Sequence, residues 1–232
     1  MAKTLKTIGV LGGLGPQATD DFVSRLHRAS NRLIPPRFNT GYPPMVVHYH
    51  RQPPVIMADE KTPRIPFEVD AALLTAAAWL GSRADFLVIP ANAPHLFAPA
   101  IEKASGKPLL SLIDVTLAEV ARLGWKKVGV LGFGDAKVPV YTERLRTLGI
   151  EFEIVDAALQ QSLNAAVIAL QEGRLGSGAD AAQRATDFLN ARGVDGIIPG
   201  CTEIPLMLGG VSGNMVNPAE LLAEAAVRNA ME

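Results

Sequence analysis

Residues 7–15 read TIGVLGGLG, and much further along the chain residues 127–135 read KVGVLGFGD. Each is a short run of valine, isoleucine and leucine that closes on a turn of small residues. That is the pattern of a strand buried on both faces and followed by a helix. A second pair repeats in the same order, ADFLVIPAN at 84–92 and VDGIIPGCT at 194–202. One such match can arise by chance, whereas two in order argue for a duplicated α/β unit. The repeat sets Ala91 in register with Cys201, and Asn92 with Thr202. Two such units facing each other would bring these turns together at a cleft.

Working outward, Thr7–Leu11, Met45–Tyr49, Phe86–Ile89, Lys127–Leu131 and Gly196–Pro199 read as buried strands, brief and bounded by glycine or proline. Helical spacing lies between them, with stripes at Phe22, Val23, Leu26 and Ala29, and at Ala71, Leu74, Ala78 and Leu80. Strands alternating with helices predict a parallel sheet in each unit, so the expected class is α/β, two similar parallel-sheet units related by pseudo-symmetry. Ligands in such folds sit beyond the carboxyl ends of the strands, and the expected site lies between the units. The expected division gives residues 1–112 and 209–232 to the first unit and 113–208 to the second, with Val216–Met231 returning as a helix to the first. The proline-rich segments 35–44 and 53–66 read as functional loops within a unit.

Composition removes several classes of function. The 232 residues are 48% hydrophobic and 19% charged, with a formal net charge of -1. This gives no footing for a nucleic acid or an anionic membrane surface. No apolar run approaches the roughly 18 to 20 residues of a membrane helix. The start, MAKTLKTIGVLGG, reads as a first strand and not as a signal peptide. A single cysteine excludes an internal disulfide and a cysteine-based zinc centre. The expectation is a cytoplasmic α/β protein.

Three stretches carry chemistry. Gly13-Leu14-Gly15-Pro16-Gln17-Ala18 fits the G-x-G-x-x-G/A dinucleotide pattern, but HYHR (48–51) stands where an acidic residue should hold the ribose. The glycines then serve either close helix–strand packing or the binding of an anion by backbone amides at the helix N-terminus. In Gly200-Cys201-Thr202-Glu203-Ile204-Pro205 the cysteine follows a strand and precedes a short apolar helix. It is either a core thiol or a nucleophile or acid/base whose pKa the helix amides lower, with Glu203 as a relay or local charge. In Pro90-Ala91-Asn92-Ala93-Pro94-His95, Asn92 can donate its amide to a carboxylate, and His95 is either a base or a residue that caps and packs. His48 and His50 share a strand face, but no carboxylate nearby completes a ligand set, so no metal is expected.

Together these stretches resemble the aspartate/glutamate racemase superfamily. GGLGPQAT (12–19) is similar to its first-strand turn, ADFLVIPANAPH (84–95) to its first catalytic segment, and DGIIPGCTEIP (195–205) to its second. SLIDVT (111–116) and VNPAELLAEAAV (216–227) extend the likeness over essentially the whole chain. The resemblance implies two α/β units with the site between them, a homodimer, no cofactor, and proton transfer at the α-carbon of a small, acidic amino acid or related carboxylate. It implies two cysteines, one on each face of the substrate carbon. Cys201 matches the second, and Ala91 stands where the first belongs. Arg51, Asn92 and Thr202, each just after a predicted strand, are expected with nearby backbone amides to hold a substrate carboxylate, and Ala93 and Glu203 complete the expected substrate-binding set. Further departures are Ala93 and Phe133 at positions where the family often has threonine, and Gln171 near a frequent lysine. Several changes together fit natural divergence better than one engineered knockout, though both stay open. Three readings follow: a racemase-like isomerase in which a histidine (His48, His50 or His95) replaces the lost thiol, a one-acid enzyme like the arylmalonate decarboxylases, or a carboxylate binder without turnover.

Overall fold

A computed structural model describes residues 4–35, 40–59, 63–132, 140–174, 178–211 and 213–232. The chain forms two compact units, one of Met1–Leu112 with Ala219–Glu232, the other of Ile113–Pro218. Phe133, most of the turn after the second copy of the repeat, and parts of both proline-rich segments lie outside the described residues.

In the first unit the strands are β1 (Ile8–Gly12), β2 (Met45–Tyr49), β3 (Phe86–Val88) and β4 (Leu109–Leu110), all parallel in the order β2-β1-β3-β4. Central β1 is buried along its whole length, which explains its unbroken apolar run. The helices are α1 (Pro16–Leu33), α2 (Ala71–Gly81) and α3 (Ala98–Ser105). On α1 the buried residues include Phe22, Leu26 and Ala29, as its spacing predicts.

On α2 the inward stripe is Leu73, Ala76, Ala77, Leu80 and Gly81, so Ala71, Leu74 and Ala78 of the expected stripe lie off it. The segment AALLTAAAWLG is apolar on nearly every face, so spacing alone cannot choose its phase. The phase comes from its start, where Asp70 caps the helix by accepting from Ala72 N at 2.7 Å. At its other end α2 runs against α3 backbone to backbone: a Cβ on Gly81 would lie 2.0 Å from the Ser105 carbonyl oxygen.

The second unit repeats the central order with β5 (Lys127–Leu131), β6 (Glu151–Ile154) and β7 (Gly196–Pro199), parallel and arranged β6-β5-β7. Its helices are α4 (Leu112–Arg122), α5 (Thr142–Thr147), α6 (Ala157–Gln171), α7 (Ala179–Asn190) and the single turn α8 (Ile204–Met207). Residues 209–218, expected with the first unit, pack here with the second: Met215 bridges Ile197, and Val216 N donates to the Ile197 carbonyl at 3.1 Å.

Strands β4 and β6 escape the sequence reading, whereas β2 and β7, which also end their sheets, do not. The two-residue β4 is too short to show a pattern, and EFEI of β6 alternates acidic and apolar residues, as a half-exposed edge does.

The last helix, α9 (Pro218–Met231), belongs to the first unit from Ala219 onward. Arg25 of α1 bonds Asp21 at 2.6 Å and Glu220 at 2.7 Å, and Lys6 N donates to the Ala230 carbonyl at 2.9 Å. Among the described residues no helix is long and apolar enough to cross a membrane.

The α2–α3 contact makes a direct test of the packing. Gly81→Ala is expected to destabilise the protein by about 1–3 kcal/mol, the usual cost of overpacking. Urea unfolding that leaves the midpoint unchanged would show that the two backbones have room to part.

Candidate active site

The turn after β1 is built for close packing. Gly13 has φ +79, and a Cβ there would lie 2.6 Å from the backbone nitrogen of His50. Glycine alone meets both demands without strain. The Gly13 amide donates to the Thr19 hydroxyl at 2.8 Å, and that hydroxyl donates to the Gly15 carbonyl at 3.0 Å. The turn thus spends this amide internally, and its glycines serve packing, the plainer of the two readings of GGLGPQAT.

Beyond β3, Ala91 is partly buried and packs on the core of Leu73, Leu80, Leu87 and Ile89. Asn92 is buried, while Ala93 is exposed at the start of the one-turn 3₁₀ helix Ala93–Phe97. His95 bonds back through Nε2 to the Ile89 carbonyl at 3.2 Å. Its ring ties the turn to the end of its strand. Arg51 is exposed just past β2. Within this unit Arg51 and Asn92 lie beyond the carboxyl ends of β2 and β3, the two neighbours of β1.

His48 and His50 share one face, with ring centroids 6.3 Å apart. With Gln52, Ala72, Thr75, Ala76 and Trp79 they line an open hollow of about 400 Å³. Burial, and then the neighbouring His48, push the His50 imidazole below its ordinary pKa, so it is neutral near pH 7. Among the described residues no group of three or more histidine, cysteine or acidic side chains is placed to hold a metal ion.

In the second unit the segment after β7 gathers its polar side chains around one carboxylate. Cys201 and Glu203 are both buried. The Cys201 thiol donates to Glu203 Oε2 at 2.9 Å, and the Thr202 hydroxyl donates to the same oxygen at 3.2 Å. Gln171, at the end of α6, donates its amide to Glu203 Oε1 at 3.0 Å.

This arrangement reverses one expectation. Burial, the Glu203 charge and the bond to its carboxylate push the thiol well above the ordinary cysteine range, and the Glu203 amide opposes this only weakly. Helix α8 has just four residues, too short for its amides to outweigh a buried carboxylate at contact distance. Cys201 is therefore held as a thiol and not as a thiolate. The sequence marks Gln171 only as a departure from a family pattern. Its partner lies 32 residues on, a pairing that only the fold can make.

Residues 11–227 match the family described as Asp/Glu/hydantoin racemase, and the chain belongs to that family. Over 224 residues it is 25% identical to the broad specificity amino-acid racemase RacX of Bacillus subtilis (strain 168), covering 95% of this chain and 96% of that one. Its fold is similar to an aspartate racemase homologue from Pyrococcus horikoshii OT3, with TM-score 0.73 and 23% identity over 98% of this chain and 100% of that one. It is also similar to the aspartate racemase of Picrophilus torridus, with TM-score 0.73 and 20% identity over 97% of this chain and 94% of that one.

The buried protons should show in stability against pH. Tyr141, enclosed in the second unit, is raised by burial as Cys201 is. Both pKa values are higher folded than unfolded, so the folded protein keeps protons that the unfolded chain loses. Their stabilising contribution is full below the unfolded pKa values, about 8.5 for the thiol and 10 for the phenol. Above each value stability should fall by about 1.4 kcal/mol per pH unit per proton retained. Urea midpoints at pH 7.5, 9 and 10 measure this, and a flat profile would place both groups in contact with water.

Proposed function

We propose that the protein is a racemase-like isomerase that transfers a proton at the α-carbon of a small amino acid or related carboxylate, with Cys201 as its acid. The observation that carries this reading is the buried thiol of the Gly-Cys-Thr-Glu segment, donating to Glu203 at 2.9 Å just beyond β7. In this reading a base, for which His48, His50 and His95 are the candidates, takes the α-proton and leaves the carbon–hydrogen electron pair as a carbanion. The Cys201 sulfur–hydrogen bond then breaks as the new carbon–hydrogen bond forms from that pair, the negative charge passes to sulfur, and solvent returns a proton to it. Next to Glu203 that thiolate is disfavoured, which drives its reprotonation.

Asn92 and Arg51, with Thr202 and backbone amides, would hold the substrate carboxylate and stabilise the carbanion. Ala93 presents no polar group to share that task. Glu203, engaged with Cys201 and Gln171, would act on the thiol and not directly on the substrate. The breadth of substrates named for RacX and the acidic substrates named for the aspartate racemases are the first to try. We further propose that the enzyme is a cytoplasmic homodimer, which light scattering on a sizing column would test for the assembly.

A second reading is favoured by the alanine at position 91 together with the thiol state of Cys201. A racemase needs both a base and an acid, whereas this chain holds one cysteine, kept protonated. Chemistry that makes a carbanion by breaking a carbon–carbon bond, releasing carbon dioxide, needs only the acid.

Three substitutions separate the readings. Cys201→Ser is expected to lower turnover by about a hundredfold to ten-thousandfold, the usual contribution of a positioned acid. Ala91→Cys decides the rest: a gain of about a hundredfold or more in α-proton exchange of aspartate or glutamate identifies a two-base racemase lacking one thiol. No gain, with activity still dependent on Cys201, identifies one-acid chemistry or a replacement base, and we expect this outcome. Asn92→Ala should weaken carboxylate binding by about 1–3 kcal/mol by calorimetry. Turnover indifferent to Cys201→Ser would remove the thiol from the mechanism.

A further inference from the structure

Glu203 sits among three donors of different kinds. Its Oε2 faces the Cys201 thiol at 2.9 Å and the Thr202 hydroxyl at 3.2 Å, while its Oε1 takes the Gln171 amide at 3.0 Å. The carboxyl group is almost wholly buried, at 4% exposure. A buried carboxylate must have its lone pairs satisfied or take up a proton. Two adjacent residues serve one oxygen, and Gln171 reaches the other from the end of a different helix.

We infer that Gln171 is a positioning residue, which by engaging Oε1 aims the Glu203 carboxylate at the Cys201 thiol. This rests on the reading of Cys201 as the acid and adds the group that keeps it one. Glutamine suits the task because it donates without charge. A cation at this position would offset Glu203 and favour the thiolate, whereas a neutral amide leaves the carboxylate's field on sulfur undiminished. Among the described residues Glu203 is the charge that acts on the thiol. The core around Cys201 is apolar, formed by Leu163 and Val167 of α6, Ala182 and Ala185 of α7, and Ile204 of α8. Next to Gln171, Glu172 and Arg174 pair with each other at 2.6 Å.

Cys201 is the chain's single cysteine, so alkylation reports on it alone and needs no substrate. The measurement is the rate of reaction with iodoacetamide against pH. Its inflection reads the thiol's ionisation, and its high-pH plateau reads access. Gln171 is exposed, so leucine there leaves the core intact.

In Gln171→Leu, Oε1 loses its donor and the Glu203 carboxylate is no longer aimed at the thiol. Its charge then lies farther from sulfur, so the inflection should move down with the plateau unchanged. The rate at pH 8 should rise about tenfold for each pH unit of that movement. Glu203→Gln should move the inflection the same way, and adding Gln171→Leu to it should do nothing more, because the two act through one group.

An unmoved inflection in Gln171→Leu overturns the proposal. So does a rise confined to the plateau, or a Gln171→Leu effect that persists in the Glu203→Gln background, since each marks a merely structural role. Should Glu203→Gln fail to fold, the Gln171→Leu inflection decides alone. Cys201→Ser turnover tests the acid itself, so the two ideas can fail separately.

Discussion

Each sheet depends on a central strand that has almost no contact with water. Ile8–Gly12 is buried at every residue, and Lys127–Leu131 at all but its first. A strand buried on both faces needs neighbours on both edges and helices above and below. Parallel pairing then requires crossover helices that return the chain to the same end each time. The turns that leave the sheet therefore gather at its carboxyl end. Arg51 and Asn92 stand just past β2 and β3 of the first sheet, and Cys201 just past β7 of the second, for this reason.

The same constraint explains the glycines. A central strand covered on both faces leaves little space, and the chain meets this by removing side chains at crossings. A Cβ on Gly9 would lie 2.6 Å from Leu87 Cδ2, and one on Gly129, in β5, 2.7 Å from Leu189 Cδ1. The glycine-rich turn after β1 follows the same logic. What looks like a dinucleotide fingerprint is the packing of Thr19 and the backbone of residues 49 and 50 against residues 12 and 13.

The second unit shows how a small polar cluster alters the chemistry of one thiol. Free of its surroundings, Cys201 would titrate as ordinary cysteines do. Burial removes water from the thiolate, and a carboxylate at hydrogen-bond distance adds repulsion, both against ionisation. A reactive nucleophile is built in the opposite way, with a cation or a long helix directed at sulfur. The cluster is suited to giving up a proton to a stronger base.

The alternation of apolar runs, and the repeat of TIGVLGGLG in KVGVLGFGD, were sufficient for two parallel α/β units, because a strand buried on both faces leaves an unambiguous mark. Two strands left none: EFEI and the brief Leu109–Leu110 have exposed or few residues, and their pairing comes from neighbours far along the chain. Of the candidate site, the Gly-Cys-Thr-Glu segment and the alanine at position 91 were legible because local residue order carries them. The phase of α2 was not, since an all-apolar helix fits either way until Asp70 caps it. The state of the thiol was not legible either. It depends on burial and on which way the Glu203 carboxylate turns, and the packing around the segment, not residue order, decides both.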